Sequence, residues 1–260
     1  PNNLGVKTAL ADFLTANDHF DGAIGIYDEI LKRHDYFWQA EIYQAESRYA
    51  KGNKKEAIKQ LEELALSRPS DLTALYTIAR FHSRDKEYEK MAEVTDRLIK
   101  RINTPARSHW SYFYYQGMAY ERLKQWPRAE EAFLKALELS PDEPDVLNYL
   151  GYSWVDKGMH LIRAQEMLKK AVNARRTNGA MADSLGWAYF KLEKYEEAVT
   201  LLERAVALEP GEAVIVEHLG DAYWKVGRKR EARFQWNRAL KWPTEDVDVE
   251  AVRKKLTEGL

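Results

Sequence analysis

The stretch Leu185-Gly186-Trp187-Ala188-Tyr189 returns 34 residues later as Leu219-Gly220-Asp221-Ala222-Tyr223. Its glycine belongs to a series of small residues, spaced by 34 to 38 positions, that covers most of the chain: Ala11, Ala45, Ala79, Gly117, Gly151, Gly186 and Gly220. A second series follows the first by 12 or 13 positions, with methionine replacing alanine once: Ala23, Ala57, Met91, Ala129, Ala164, Ala198 and Ala232. Self-similarity at a fixed period predicts an array of repeated structural units.

The spacing of these small residues has a packing explanation. Two antiparallel helices approach closely only where one offers a small side chain and the other a large one, because protein interiors are close-packed. Each repeat is therefore predicted to be a helix–turn–helix pair, with the first small residue on helix A and the second on helix B. Gly52, Gly158 and Gly227 fall in the turn between them, where a left-handed residue is favoured. The predicted repeats span 4–37, 38–71, 72–109, 110–143, 144–178, 179–212 and 213–246.

Two parts of the chain depart from this register. The third repeat carries Met91 in place of alanine, and its extra residues lie around Asn103-Thr104-Pro105, a turn signal. Both an offset joint between repeats and a longer loop without a mechanical role fit this observation. After the last repeat, Val249, Val252 and Leu256 recur at helical spacing among charged residues, which predicts a helix covering the last apolar face.

The period and the helix–turn–helix unit, together with Pro69, Pro141 and Pro210 near the ends of repeats, resemble the tetratricopeptide repeat (TPR) family. The resemblance implies an all-α fold, a right-handed α-solenoid of about seven repeats with a C-terminal capping helix. On this basis residues 1–109 form divergent repeats, residues 110–246 form well-matched repeats, and residues 247–260 form the capping helix.

Composition excludes several functional classes. The 260 residues are 45% hydrophobic and 31% charged, which is typical of a chain with a sizeable core. The net charge of −1 lacks the basic excess expected of a nucleic-acid binder, and cysteine is absent. No apolar run is long enough to predict a membrane-spanning helix. Pro1-Asn2-Asn3 resembles neither a start nor a targeting segment, so we expect these residues to lie inside a longer chain.

No pattern in the sequence predicts catalysis, a metal site or a cofactor. The six histidines form no HExxH motif and no pair four residues apart on a helix. No glycine-rich phosphate loop follows a strand, and Ser111 and Ser184 lack the surroundings of a nucleophile elbow. His218 is predicted to be a packing histidine of helix A. We therefore expect a protein that is not an enzyme.

The resemblance to the TPR family also implies a binding surface. In that family helix A lines a concave groove, and matching its inward positions residue by residue selects Tyr114, Met118, Asn148, Tyr152, Asp156, Asp183, Trp187, Phe190, Glu217, Asp221 and Trp224. Aromatic residues are frequent anchors of protein interfaces, and acidic neighbours would favour a ligand with Lys or Arg. Trp187 could equally pack between helices, Trp224 could contact the closing helix, and Trp236 is assigned to packing. Some members of the family bind a partner's C-terminal carboxylate with paired Lys, Arg and Asn side chains of helix A. Here only Arg80 and Arg84 resemble such a carboxylate clamp, which disfavours this kind of binding.

A narrower resemblance covers about residues 144–240. The runs Asp183-Ser184-Leu185-Gly186-Trp187 and Glu217-His218-Leu219-Gly220-Asp221, with Gly227-Arg228, resemble proteobacterial TPR outer-membrane lipoproteins that act as adaptors of carboxy-terminal processing proteases. This resemblance implies a scaffold that holds a protein or peptide partner, such as a protease and its substrates, in the periplasm or at the outer membrane. A cytoplasmic location, a self-assembling TPR module that forms homo-oligomers, and the targeting arm of a larger enzyme remain alternatives.

Overall fold

The computed structural model describes residues 3–34, 37–244 and 247–260. Pro1 and Asn2, and parts of the predicted first and last repeats at 35–36 and 245–246, lie outside the described residues. Within the described ranges the chain forms fifteen α-helices, one 3-10 turn and no strand, which confirms the all-α prediction. The helices are α1 Leu4–Ala16, α2 Phe20–Arg33, α3 Gln39–Ala50, α4 Lys54–Ser67, α5 Thr73–Arg84, α6 Tyr88–Lys100, α7 Trp110–Arg122, α8 Trp126–Leu139, α9 Pro144–Asp156, α10 Leu161–Ala174, α11 Gly179–Lys191, α12 Tyr195–Leu208, α13 Ala213–Lys225, α14 Lys229–Lys241 and α15 Val249–Glu258.

Odd-numbered helices up to α13 are helix A of a repeat, and the even-numbered helix that follows each is helix B. Their contacts follow the predicted pairing of small and large residues. A Cβ atom added to Gly220 would lie 2.5 Å from the Trp236 ring, and one added to Gly117 would lie 2.6 Å from Phe133. Gly151 faces Leu168, and Gly186 faces Leu202, in the same way. These glycines permit close approach of the two helices, and the register predicted from sequence is confirmed.

The turn between helix A and helix B contains a left-handed residue in every repeat. Gly52, Gly158 and Gly227 have φ angles of 102°, 68° and 83°, as predicted for this position. The other four repeats place a non-glycine residue there with φ between 58° and 61°: Asp18, Lys86, Lys124 and Glu193. The left-handed residue is thus present in every repeat although its type varies, and the turn of the fifth repeat contains a second one, His160, with φ of 47°.

The third repeat keeps its packing despite its divergence. Met91 is completely buried at the position where other repeats have alanine. The extra residues follow the end of α6 at Lys100 and lead through a 3-10 turn, Arg107–His109, into α7.

The chain divides into two compact parts, Pro1–Leu139 and Ser140–Leu260, here called the N-terminal body and the C-terminal body. The predicted division at residue 109 rests on repeat similarity and stays a prediction. In the C-terminal body the predicted closing helix is present as α15. Its Val252 is completely buried, in one apolar cluster with Trp236 and Tyr223, and Leu256 packs at the edge of that cluster.

Candidate functional site

The predicted site residues of the C-terminal body lie on three successive A helices, α9, α11 and α13. A pair that the sequence did not predict joins α11 to α13. Nδ1 of His218 lies 2.9 Å and 3.1 Å from the two carboxylate oxygens of Asp183. Both side chains are buried. Burial opposes the charged form of His218, but the Asp183 carboxylate outweighs it and raises the pKa of His218 above its usual value.

The same contact organises a stack of rings. The Trp187 ring lies parallel to His218 at a centroid distance of 4.0 Å, and parallel to Phe190 at 4.7 Å. Trp187 therefore packs between neighbouring A helices, and only 9% of it is exposed. Of the two roles considered for this residue, packing and groove lining, this contact is the packing role. Its indole Nε1 is buried without a hydrogen-bond partner in the described parts of the chain. Phe190 is half-buried and forms the outer end of the stack.

The acidic residues of α13 are engaged by the closing helix. Nζ of Lys255 donates to Asp221 at 2.6 Å and to Glu217 at 2.8 Å. The other carboxylate oxygen of Asp221 accepts a hydrogen bond from Nε1 of Trp236 at 2.8 Å. Burial opposes the charge of Lys255, but the two carboxylates outweigh it and raise its pKa.

These contacts correct the expectation of an acidic groove that is free to attract a basic ligand. Asp183 is hydrogen-bonded to His218, Glu217 and Asp221 pair with Lys255, and Asp145 pairs with Arg175 at 2.8 Å. Asp156, at the end of α9, is the exposed acid that remains among the predicted site residues. The physical reason is that the two buried carboxylates, Asp183 and Asp221, each meet a basic side chain one repeat period further along the chain, which compensates their desolvation.

The predicted residues that remain at least partly accessible in the C-terminal body define what we call the aromatic face: Asn148, Tyr152, Asp156, Phe190 and Trp224. Asn148 has a buried Oδ1 without a hydrogen-bond partner among the described residues. Trp224 contacts Gly259, the residue directly after α15, so it packs at the closing helix, which was the alternative considered for this residue. Nζ of Lys229 lies 3.7 Å from the centre of the Trp224 ring. The aromatic face thus offers three partly accessible rings beside one exposed carboxylate, that of Asp156.

The two remaining predicted residues, Tyr114 and Met118, belong to α7 in the N-terminal body. Both are partly buried, and the Tyr114 ring lies 6.1 Å from Phe133 and 5.8 Å from Tyr115. Elsewhere on the A helices of this body a cavity of about 450 Å³ is lined by Arg80, Arg84 and Tyr115, among others. Arg80 is paired with Glu46 at 3.0 Å.

Sequence reasoning missed the pairs that link neighbouring repeats, although a signal for them exists. An acid and a cation separated by one repeat period meet in three of the pairs: Glu46 with Arg80, Glu62 with Arg97, and Asp221 with Lys255. Asp183 and His218 follow the same rule at a separation of 35 residues. A search for opposite charges one period apart would have found them.

Comparisons with known proteins agree with this architecture. Two profiles described as tetratricopeptide repeat match the chain, one at residues 8–71 and 184–246 and the other at 110–143. The chain belongs to the tetratricopeptide repeat family.

Curated relatives are similar over most of this chain but are much longer than it. The TPR repeat-containing protein PA4667 of Pseudomonas aeruginosa is 27% identical over 200 residues, which are 76% of this chain and 33% of that protein. The human N-alpha-acetyltransferase 25, NatB auxiliary subunit, is 22% identical over 191 residues, 69% of this chain and 19% of that protein. The chain therefore spans a third or less of the length of these two relatives.

Solved structures share the fold at low identity. A chain of the APC/C hetero-tetramer Cut9–Hcn1 superposes with a TM-score of 0.76 at 18% identity, covering 99% of this chain and 50% of that one. The TPR protein YrrB, described as having an unusual peptide-binding site, gives 0.55 at 15% identity, covering 73% and 95%. In the described residues no helix could cross a membrane, and no group of His, Asp and Glu side chains is arranged to hold a metal ion.

Proposed function

We propose that this chain is a non-enzymatic scaffold that holds a protein or peptide partner on the aromatic face of its C-terminal body. The stack of His218, Trp187 and Phe190 is the observation that carries the proposal. Its inner end is held by the buried hydrogen bond between His218 and Asp183, and its outer ring, Phe190, is half-buried and partly accessible. A ring that is held in place loses little entropy on binding, and aromatic anchors of this kind dominate interface energies.

The face favours a ligand that is apolar rather than strongly basic. The neighbouring acids Asp183, Glu217 and Asp221 have partners within the protein, and exposed Lys191 lies with its Nζ 5.0 Å from the centre of the Trp187 ring.

The finer part of the proposal is that the partner is a carboxy-terminal processing protease or its substrate, and that the chain works in the periplasm or at the outer membrane. Support comes from the resemblance of residues 144–240 to bacterial adaptor lipoproteins and from the similarity to a Pseudomonas TPR protein. Self-association into homo-oligomers and a role as the non-catalytic arm of a larger enzyme are the competing functions.

The test compares binding by three proteins: the wild type, a variant with Phe190→Ala and Asp156→Ala, and a control with Trp242→Ala. Trp242 is 67% exposed and lies outside the aromatic face, so its loss controls for a missing surface ring. Each protein is immobilised and exposed to a purified bacterial carboxy-terminal processing protease, and then to an envelope extract. We expect the double variant to lose at least ten-fold in affinity and the control to be unchanged.

Two results would contradict the proposal at different levels. A protease that binds none of the three proteins removes the adaptor role but leaves the scaffold if extract proteins distinguish the double variant from the control. Equal retention of every protein by the double variant and the control removes the aromatic face as the binding surface. Light scattering on the wild type alone decides the oligomer alternative, since a monomer at low micromolar concentration excludes a stable self-assembly.

A further inference from the structure

The N-terminal body contains a cleft that the proposed function does not use. Its volume is about 870 Å³, and it is lined by side chains of α6, the extra residues of the third repeat, α7 and α8. Ile99, Pro105, Phe113 and Leu134 supply its apolar wall. Tyr114 and Met118, the predicted groove residues of α7, do not line it. The cleft is therefore a separate surface from the helix-A positions considered above.

Leu134, at this cleft, is apolar at a position where the other repeats carry polar residues. It lies five residues after the small residue of helix B, and it is 37% exposed. The corresponding residue is polar or charged in every other repeat: Asp28, Glu62, Asp96, Lys169, Glu203 and Asn237. Together with Ile99 and Pro105, Leu134 extends the apolar wall of the cleft, and a contiguous apolar surface of this kind marks an interaction site.

The charges around the cleft favour one kind of partner. Three carboxylates line it, Glu130, Glu131 and Glu138, against two cations. Both cations are engaged, since Arg128 lies 3.7 Å from the centre of the Tyr120 ring and Lys135 donates to Glu138 at 2.7 Å. Glu131 is exposed and makes no ion pair within the described residues. A bound Lys or Arg would find an available carboxylate beside an apolar wall.

We propose that this cleft is a second docking site, which takes a protein segment with apolar side chains flanked by Lys or Arg. Leu134 and the apolar wall contact the partner's apolar residues, and Glu131 contacts its basic residue. The site lies in the N-terminal body, and the aromatic face lies in the C-terminal body, so each can be tested without the other. A chain with both surfaces would bind two different segments.

The test uses the full chain with labelled leucine and isoleucine methyl groups and a peptide probe, acetyl-Lys-Leu-Leu-Lys-amide. We expect its addition at millimolar concentration to shift the methyl signals of Leu134 and Ile99. Glu131→Gln should weaken binding two- to five-fold, because one exposed ion pair is lost. Leu134→Glu should weaken it at least ten-fold, because the loss of apolar contact area outweighs the small gain from one more exposed carboxylate. Glutamate already occupies this position as Glu62 and Glu203, so the variant is expected to fold.

The matched control is Leu66→Glu, which changes a leucine that is 72% exposed and does not line the cleft. This variant should bind the probe as the wild type does. A second control peptide, acetyl-Glu-Leu-Leu-Glu-amide, should bind at least three-fold more weakly than the basic probe. The proposal is overturned if the basic probe causes no shift, if both peptides bind equally, or if Leu134→Glu retains wild-type affinity.

Discussion

Replacing Gly220 with alanine adds a methyl group where the structure leaves no room for it. The new Cβ atom would lie 2.5 Å from Cδ1 and Nε1 of Trp236 and 3.2 Å from the backbone oxygen of Ala232. The Trp236 ring cannot turn aside freely, because it is completely buried and its Nε1 is held by Asp221 at 2.8 Å. Either the two helices separate or that hydrogen bond is lost.

The magnitude follows from three contributions. Overpacking of a filled core costs about 1–3 kcal/mol, and a lost hydrogen bond costs about 1 kcal/mol more. Alanine is favoured over glycine in a helix by about 1 kcal/mol, which offsets part of this cost. We expect Gly220→Ala to lower the free energy of unfolding by about 1–3 kcal/mol, measured by urea denaturation with circular dichroism and tryptophan fluorescence.

Gly25 provides the matched control. It lies inside α2, and a Cβ atom added there would have no neighbour within 4 Å. Gly25→Ala should therefore raise stability by about 0.5–1 kcal/mol through helix propensity alone. If Gly220→Ala is as stable as the wild type, or gains as much as Gly25→Ala does, close approach at the small residues is not what joins helix A to helix B.

Three further outcomes follow from the same contacts. Ala198→Leu, at a completely buried position of α12, should cost about 1–3 kcal/mol in urea denaturation, and a neutral result would show a loosely packed second small position. Lys255→Met should lower the free energy of unfolding by about 1.5–3 kcal/mol, because the carboxylates of Asp221 and Glu217 then have no cation beside them. Lys254→Met, at an exposed ion pair, should change it by less than about 1 kcal/mol. The pKa of His218 is raised in the folded state, so its protonated form contributes to the free energy of unfolding. This contribution is complete below the unfolded pKa of about 6.5 and is lost as pH rises through the folded pKa. Denaturation at several pH values should show this loss in the wild type and not in Asp183→Asn.

The fold was largely predictable because the same spacing of small residues recurs in each repeat. The series of small residues gave the A and B helices, and the structure confirms their faces through contacts such as that of Gly186 with Leu202. The left-handed turns at Lys86 and Glu193 were not predictable, because glycine is the residue type that marks such a turn and these two positions carry other residues. Here the packing of the two helices fixes the backbone geometry and overrides residue preference.

The candidate site was less predictable, because it depends on partners one repeat away. The TPR resemblance predicts that Trp187 and Asp183 face a groove, but it does not show that His218 contacts both of them. Likewise, nothing local to Asp221 indicates that Lys255 neutralises it. A charge pattern along one helix does not show which side chains of a neighbouring helix it meets, whereas here the acids of one helix bind basic side chains of the next.

The central claim for the C-terminal body is that its helix-A acids are used internally to hold a fixed aromatic platform. The most direct test is the pKa of His218, measured by nuclear magnetic resonance titration of the labelled imidazole in the wild type and in Asp183→Asn. We expect a pKa above 6.5 in the wild type and a lower one in the variant, where burial acts without the compensating carboxylate. A wild-type pKa at or below 6.5, or one unchanged by Asp183→Asn, would contradict the pairing of Asp183 with His218 and the platform built on it.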